Sequence, residues 1–211
     1  MRYLYLHGFA SGPLSRKAQF FRQKLAAAGI SLEIPALDEG DFEHLTITRQ
    51  LDLITRILAG QPAVIMGSSM GGYLAALYAA QHYEVDRMVL LAPAFGFGER
   101  WDEVFGVEQV AAWRTRGYAD VYHYSAGGMQ RLSADLLHDS AVHPGYPACK
   151  QPTLIFHGIE DNVVPIAASE RWARANRGAR VVEMNSGHEL LDVLDAIWEQ
   201  CAAFCLGDAT L

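Results

Sequence analysis

The sequence predicts a three-layer α/β/α sandwich around a mostly parallel sheet of about six strands. Three observations lead there. Short β-rich runs alternate with helical patterns along the chain. Several of the β-rich runs are continuously apolar, as strands covered on both faces must be. Glycine-containing turns that carry polar residues follow the strands, and such folds place their ligands at the carboxyl ends of the strands.

The strands are expected at residues 2–7 (RYLYLH), 31–35 (SLEIP), 63–67 (AVIMG), 87–93 (RMVLLAP), 153–158 (TLIFHG) and 180–184 (RVVEM). Helices fall between them. Over 15–28, Ala18, Phe21, Leu25 and Ala28 share one face, and Gly29 ends the pattern. Over 44–59, Ile47, Leu51, Ile54 and Leu58 do the same. Residues 70–82 are rich in Ala and Leu, as suits a helix pressed against a sheet, and 167–177 is a shorter helix. Over 189–205, Leu190, Leu194, Ile197, Trp198, Cys201 and Cys205 align. With right-handed crossovers these elements build the three layers.

One segment does not fit the alternation. Residues 96–150 separate two strands by far more than a usual crossover. They hold Phe97, Trp101, Phe105, Trp113, Tyr118, Tyr122, Tyr124 and Tyr146. The expectation is a helical insertion before the acid-bearing strand, serving as a cap, within a single domain spanning 1–211.

Composition narrows the function. The chain has 211 residues, is 51% hydrophobic and carries a net charge of −7. That supports a substantial core and argues against nucleic acid or an anionic membrane as partner. No apolar run approaches the roughly 18 residues of a transmembrane helix, and the N-terminus lacks the pattern of a signal peptide. The expected location is the cytoplasm. Cys149, Cys201 and Cys205 read as small buried residues rather than a disulfide framework, and no Cys/His spacing suggests zinc.

The stretch AVIMGSSMGGYLAAL (63–77) carries the chemistry. G-x-S-x-G fits it in one register, Gly67-Ser68-Ser69-Met70-Gly71, and selects Ser69. A serine on a sharp strand-to-helix turn is held in strained backbone with its hydroxyl exposed. The next amide, Met70 N–H, opens a helix, where the dipole favours developing negative charge. Ser68 is expected to be structural.

A serine hydroxyl needs a base, and the base needs an orienting group. His188, in NSGHELLD, lies between the last strand and the last helix. Asp161, in LIFHGIEDNVVP, follows the preceding strand; Glu160 is its rival, and no acid lies within 88–98 to offer an alternative. A second oxyanion donor is expected from Phe9 N–H in YLHGFASGP. His7 and His157 read as braces of their loops. Arg16 and Lys17, at the start of the first helix, are candidates to meet an anionic substrate group.

Taken together these residues resemble the α/β-hydrolase superfamily. LHGF is similar to its oxyanion loop, GSSMGG to its nucleophile elbow, HGIEDNVVP to its acid loop and SGH to its histidine loop. The chain order Ser69, Asp161, His188 is that of the fold. The short length and YLHGFASGPLSRKAQFF resemble the small bacterial YqiA-type esterases. Three departures stand out: the N-terminal antiparallel strands of the full fold are expected to be missing, the oxyanion segment is His-Gly-Phe rather than HGGG, and residues 96–150 match none of the family's motifs.

The expected function is a serine hydrolase. It would cleave carboxylic esters or thioesters of small molecules through an acyl-enzyme, with Ser69, Asp161 and His188 as catalytic residues. Phe9 and Met70 amides would form the oxyanion hole, with no metal or organic cofactor. Two other functions stay open on the same residues: a carbon–carbon bond hydrolase or lyase, and a slow ligand-binding receptor on a hydrolase scaffold. Serine rather than aspartate at the elbow disfavours haloalkane dehalogenation, and the oligomeric state is open.

Overall fold

The structure, a computed structural model, describes residues 1–207, so the last four residues of the expected 1–211 domain lie outside it. In chain order the elements are β1 (Arg2–Leu6), α1 (Arg16–Ala27), β2 (Leu32–Glu33), α2 (Ile47–Leu58), β3 (Ala63–Ser68), α3 (Met70–Ala79) and β4 (Val85–Leu91). The insertion follows, with α4 (Trp101–Phe105), α5 (Val107–Arg116), β5 (Tyr118–His123), β6 (Gly128–Ser133) and α6 (Asp135–Val142). The chain then returns to the sheet with β7 (Thr153–Gly158), α7 (Ile166–Ala175), β8 (Ala179–Met184) and α8 (Leu194–Leu206).

Six strands form one sheet in the order β2-β1-β3-β4-β7-β8. Every neighbouring pair in it is parallel. Side chains alternate between the two faces, as the strand period requires. Leu4, Leu6, Ile65, Leu90 and Ile155 face one core with α2, α3 and α7. Tyr5, Met66, Val89, Leu91 and Phe156 face the other with α1 and α8. The predicted three layers are therefore present. All ten residues of α3 are buried, so this helix needs no polar face. Cys149, Cys201 and Cys205 are free and buried, as expected.

Registers bring the carboxyl ends of the strands side by side. Gly67 pairs with Leu6, Ser68 with Leu91, Leu91 with Phe156, and Gly158 with Met184. The loops that leave β1, β3, β4, β7 and β8 consequently emerge together.

Three element expectations need correction. The strand over 31–35 shrinks to Leu32–Glu33 at the sheet edge; Pro35 has no N–H to extend a ladder. The last helix begins at Leu194 rather than 189, because Leu190 takes a left-handed conformation (φ 55°) and a tight turn over Leu191–Val193 intervenes. The insertion is helical only in part: β5 and β6 form an antiparallel hairpin of their own.

The insertion lies over the loop after β1 and the α2 side of the sheet. Tyr124 N–H donates to Ala10 O (2.8 Å), Thr48 N–H to Asp139 (3.0 Å) and Tyr73 Oη–H to Pro144 O (3.1 Å). Its interior is aromatic. Trp101 packs edge-on against Phe97 and Trp113, and Phe105 closes on both tryptophans. Trp101 and Trp113 are buried. Their indole N–H groups donate to Ser140 Oγ and Leu132 O, which satisfies the polar end of a buried tryptophan.

Candidate active site

Ser69 sits between β3 and α3 with φ 54° and ψ −120°. That is a costly conformation for a residue with a Cβ, and it persists only where the surroundings over-determine it. Here they do. Ser69 N–H donates to Leu91 O (2.9 Å), and Ser69 O accepts from Gly72, Tyr73 and Ala94 amides at 2.9 to 3.2 Å.

Glycines make the turn possible. A Cβ on Gly71 would overlap the carbonyls of Leu6 and His7, and one on Gly67 would overlap the Gly71 carbonyl. The turn is thus wedged against the end of β1, which brings the loop after β1 to the serine. Ser68 is 3% exposed and faces the interior, so the register selecting Ser69 is the one the fold presents.

The acid turn after β7 is tied from within. Asp161 Oδ1 accepts from Val163 and Val164 amides, both at 2.8 Å, a side-chain turn of the kind Asp favours. Its Oδ2 faces His188. The acid and histidine loops abut: a Cβ on Gly158 would overlap the Ser186 carbonyl, and Glu160 N–H donates to Ser186 O (3.1 Å). Ser186 Oγ–H in turn donates to Asp192 (2.5 Å), bracing the loop that carries His188.

These loops bring the three predicted side chains together. His188 Nδ1–H donates to Asp161 Oδ2 (2.7 Å), and Ser69 Oγ–H donates to His188 Nε2 (3.1 Å). The carboxylate at one side fixes the tautomer, leaving the Nε2 lone pair for the serine. The Asp161 side chain is 0% exposed and that of His188 11%. Burial alone would raise the Asp161 pKa. Hydrogen bonds from His157, His188 and the Val164 amide, with the charge of His188, outweigh that and hold the carboxyl well below the ordinary range. The rival Glu160 is exposed and lines an open cleft of about 490 Å³ between the acid and histidine loops.

The two amides expected at the oxyanion hole belong to the loop after β1 and to the first residue of α3. Met70 N–H is one of the first-turn donors that no preceding helical carbonyl can reach. Among the described residues, neither the Phe9 nor the Met70 amide has a protein acceptor in the loop and turn network. The Phe9 ring packs between Phe42 and Phe97, which couples the loop after β1 to the insertion.

The other candidates are accounted for structurally. His7 Nδ1–H donates to Gly8 O, and its Nε2 accepts from Leu37 N–H, so it braces the loop as expected. Burial lowers its pKa. Lys17 is buried against Glu189 (3.2 Å), where burial likewise lowers its pKa, while Arg16 stays exposed. Lys17 therefore ties α1 to the histidine loop rather than standing free for a substrate anion. His157 does more than brace: the HG pair of HGIEDNVVP marked it, but no pattern revealed its contacts with Asp161. Among the described residues no three His, Cys, Asp or Glu side chains are grouped as a metal site requires, and no helix is long and apolar enough to cross a membrane.

Comparison with known proteins agrees with this architecture. The chain is 23% identical to the AB hydrolase superfamily protein YisY of Bacillus subtilis (strain 168), over 88% of this chain and 84% of that one. It superimposes on Est1E from Butyrivibrio proteoclasticus with ferulic acid bound at a TM-score of 0.82, with 20% identity and coverage of 97% and 88%. A monoacylglycerol lipase of Paleococcus ferrophilus gives 0.79, with 15% identity and coverage of 98% and 94%. Residues 2–205 match the uncharacterised protein family UPF0227. The chain belongs to that family, and its fold is that of the α/β hydrolases it resembles.

Proposed function

We propose that the protein is a serine hydrolase of carboxylic esters or thioesters, with Ser69, His188 and Asp161 as its triad. One observation supports this above the others: a single imidazole is bonded on one side to a buried carboxylate and on the other to the hydroxyl of a backbone-strained serine. That is the arrangement that turns a weak hydroxyl into a nucleophile.

The steps follow from the geometry. Ser69 Oγ attacks the acyl carbonyl while its proton passes to His188 Nε2. The oxyanion is held by the Phe9 and Met70 amides, at the amino end of α3 where the dipole favours negative charge. His188 returns the proton to the leaving alkoxide or thiolate, and the acyl group remains on Ser69. Water then gives a proton to His188 and its oxygen to the carbonyl. Collapse of the second tetrahedral intermediate releases the acid and restores the Ser69 hydroxyl. Asp161, kept ionised, stabilises the imidazolium at each stage without taking its proton.

Residues 96–150 act in this reading as a cap over the acyl side, because Phe97 meets Phe9. With rings filling that side, a short or flat acyl group fits better than a long chain. The substrate is a small molecule, and the three free cysteines suit a cytoplasmic setting. The test is hydrolysis of p-nitrophenyl esters from acetyl to palmitoyl by wild type and Ser69→Ala. Turnover of the short esters, abolished in the variant, is expected. A folded wild type inert toward the whole series points to a receptor.

A further inference from the structure

We propose that His157 is a positioning residue for the acid of this triad, donating its Nε2–H to the same Asp161 oxygen that receives His188. The proposal rests on the triad reading above and deepens it.

His157 is the last but one residue of β7, its side chain 0% exposed. Its Nε2 lies 2.9 Å from Val164 O and 3.1 Å from Asp161 Oδ2. Both are acceptors, so Nε2 must carry the proton. Its Nδ1 lies 2.8 Å from the hydroxyl of Ser169 on α7, which is also fully buried. The ring is therefore held at both nitrogens, and its orientation is fixed.

The consequence falls on Asp161. Its Oδ1 receives two backbone amides, its Oδ2 receives the His188 imidazole, and the His157 Nε2–H is shared from behind between Val164 O and that same oxygen. Three full donors and one shared N–H surround the four lone pairs of the carboxylate. Such an anion can neither rotate nor concentrate its charge on one oxygen, and its proton affinity falls. Two further charged groups face it and are bonded elsewhere: Lys17 from α1 to Glu189, and Arg100 from the insertion to Glu103 and Val163 O. Of these groups, His157 reaches the oxygen that orients His188. Removing its donor leaves Asp161 more basic and more strongly attracted to the imidazolium.

The experiment compares wild type, His157→Phe, His157→Gln, Ser169→Ala and Ser69→Ala on p-nitrophenyl acetate across pH. His157→Phe should lose roughly tenfold to a hundredfold in kcat, the scale for a residue that orients another, with KM within about twofold. Its acid limb of kcat/KM should move to higher pH. His157→Gln, whose amide N–H reaches the place of Nε2–H, should recover most of the loss. Ser169→Ala should shift the profile the same way by less. If folded His157→Phe keeps both kcat and the acid limb while Ser69→Ala is inert, the proposal is wrong and the triad stands. If Ser69→Ala stays active, the triad itself fails. Nitrogen NMR of the wild type decides independently of any variant: a protonated Nε2 on His157 is expected, and a bare Nε2 with the proton on Nδ1 overturns the proposal.

Discussion

The corner that holds Ser69, Asp161 and His188 and the insertion over residues 96–150 are built on different principles. In the corner the three side chains are bonded to one another and to backbone, and glycines are placed where a single methyl would collide with backbone. In the insertion much of the order comes from aromatic rings packed on one another, with two indole hydrogen bonds among the polar fixtures. Directional contacts admit one arrangement. Apolar packing tolerates several of similar volume. The first region should respond to substitution in an all-or-none way, and the second gradually.

The largest effect expected is on Ser69. Ser69→Ala should reduce kcat by about 10⁴-fold or more, on the scale of other triads, with the fold retained by circular dichroism. Near-normal turnover in that variant would break the comparison at its first point.

Gly71→Ala should be nearly as severe for folding as Ser69→Ala is for turnover. Its Cβ meets the Leu6 carbonyl, which cannot yield without moving β1. A loss of about 3 kcal/mol is expected, the upper range for overpacking. Equilibrium urea unfolding measures it, and an unchanged midpoint would mean the turn is looser than described.

Phe97→Ala tests the insertion. The ring touches Phe9, Tyr73 and Trp101. Its loss should cost about 2 kcal/mol in the same unfolding assay, below the value for a fully buried ring. It should also move the preferred acyl length upward, while kcat for the acetyl ester falls only a few-fold. A collapse of acetyl turnover would place this ring among the groups that set the triad, not the pocket.

Two smaller effects sharpen the contrast. Ser69→Gly removes the Cβ from a positive-φ residue, so it should raise stability by about 1 kcal/mol, or a few degrees in Tm for a chain this size, while abolishing activity. His7 gives the pH dependence. Its pKa is lowered in the folded state from about 6.5, so the unfolded chain binds the extra proton first as pH falls. Stability from this site is full above about 6.5 and lost below it. His7→Gln should flatten the slope of Tm against pH between about 7 and 5, and an unchanged slope would assign it to another group.

The same difference explains what the sequence disclosed. Ser69, Asp161 and His188 could be picked out because strand ends, glycines and turn residues follow from the chemistry the site performs. The parallel sheet was legible because strands buried on both faces must be apolar throughout. The hairpin β5–β6 was not: Tyr118–His123 is half-buried and Gly128–Ser133 mixes polar with apolar residues, so neither shows a clean period. The start of α8 was misplaced because Leu190 fits the helical stripe yet takes a left-handed backbone. The contacts of His157 escaped notice because they depend on where the acid turn folds back across β7, a three-dimensional fact no spacing encodes.

The most direct test of the central claim is covalent labelling with a fluorophosphonate, read by intact mass and peptide mapping. Wild type should gain one adduct per chain, on the peptide carrying Ser69. Ser69→Ala should gain none, and His188→Ala should label far more slowly. A folded wild type that takes no label, or takes it with Ser69→Ala labelled equally, would contradict the account.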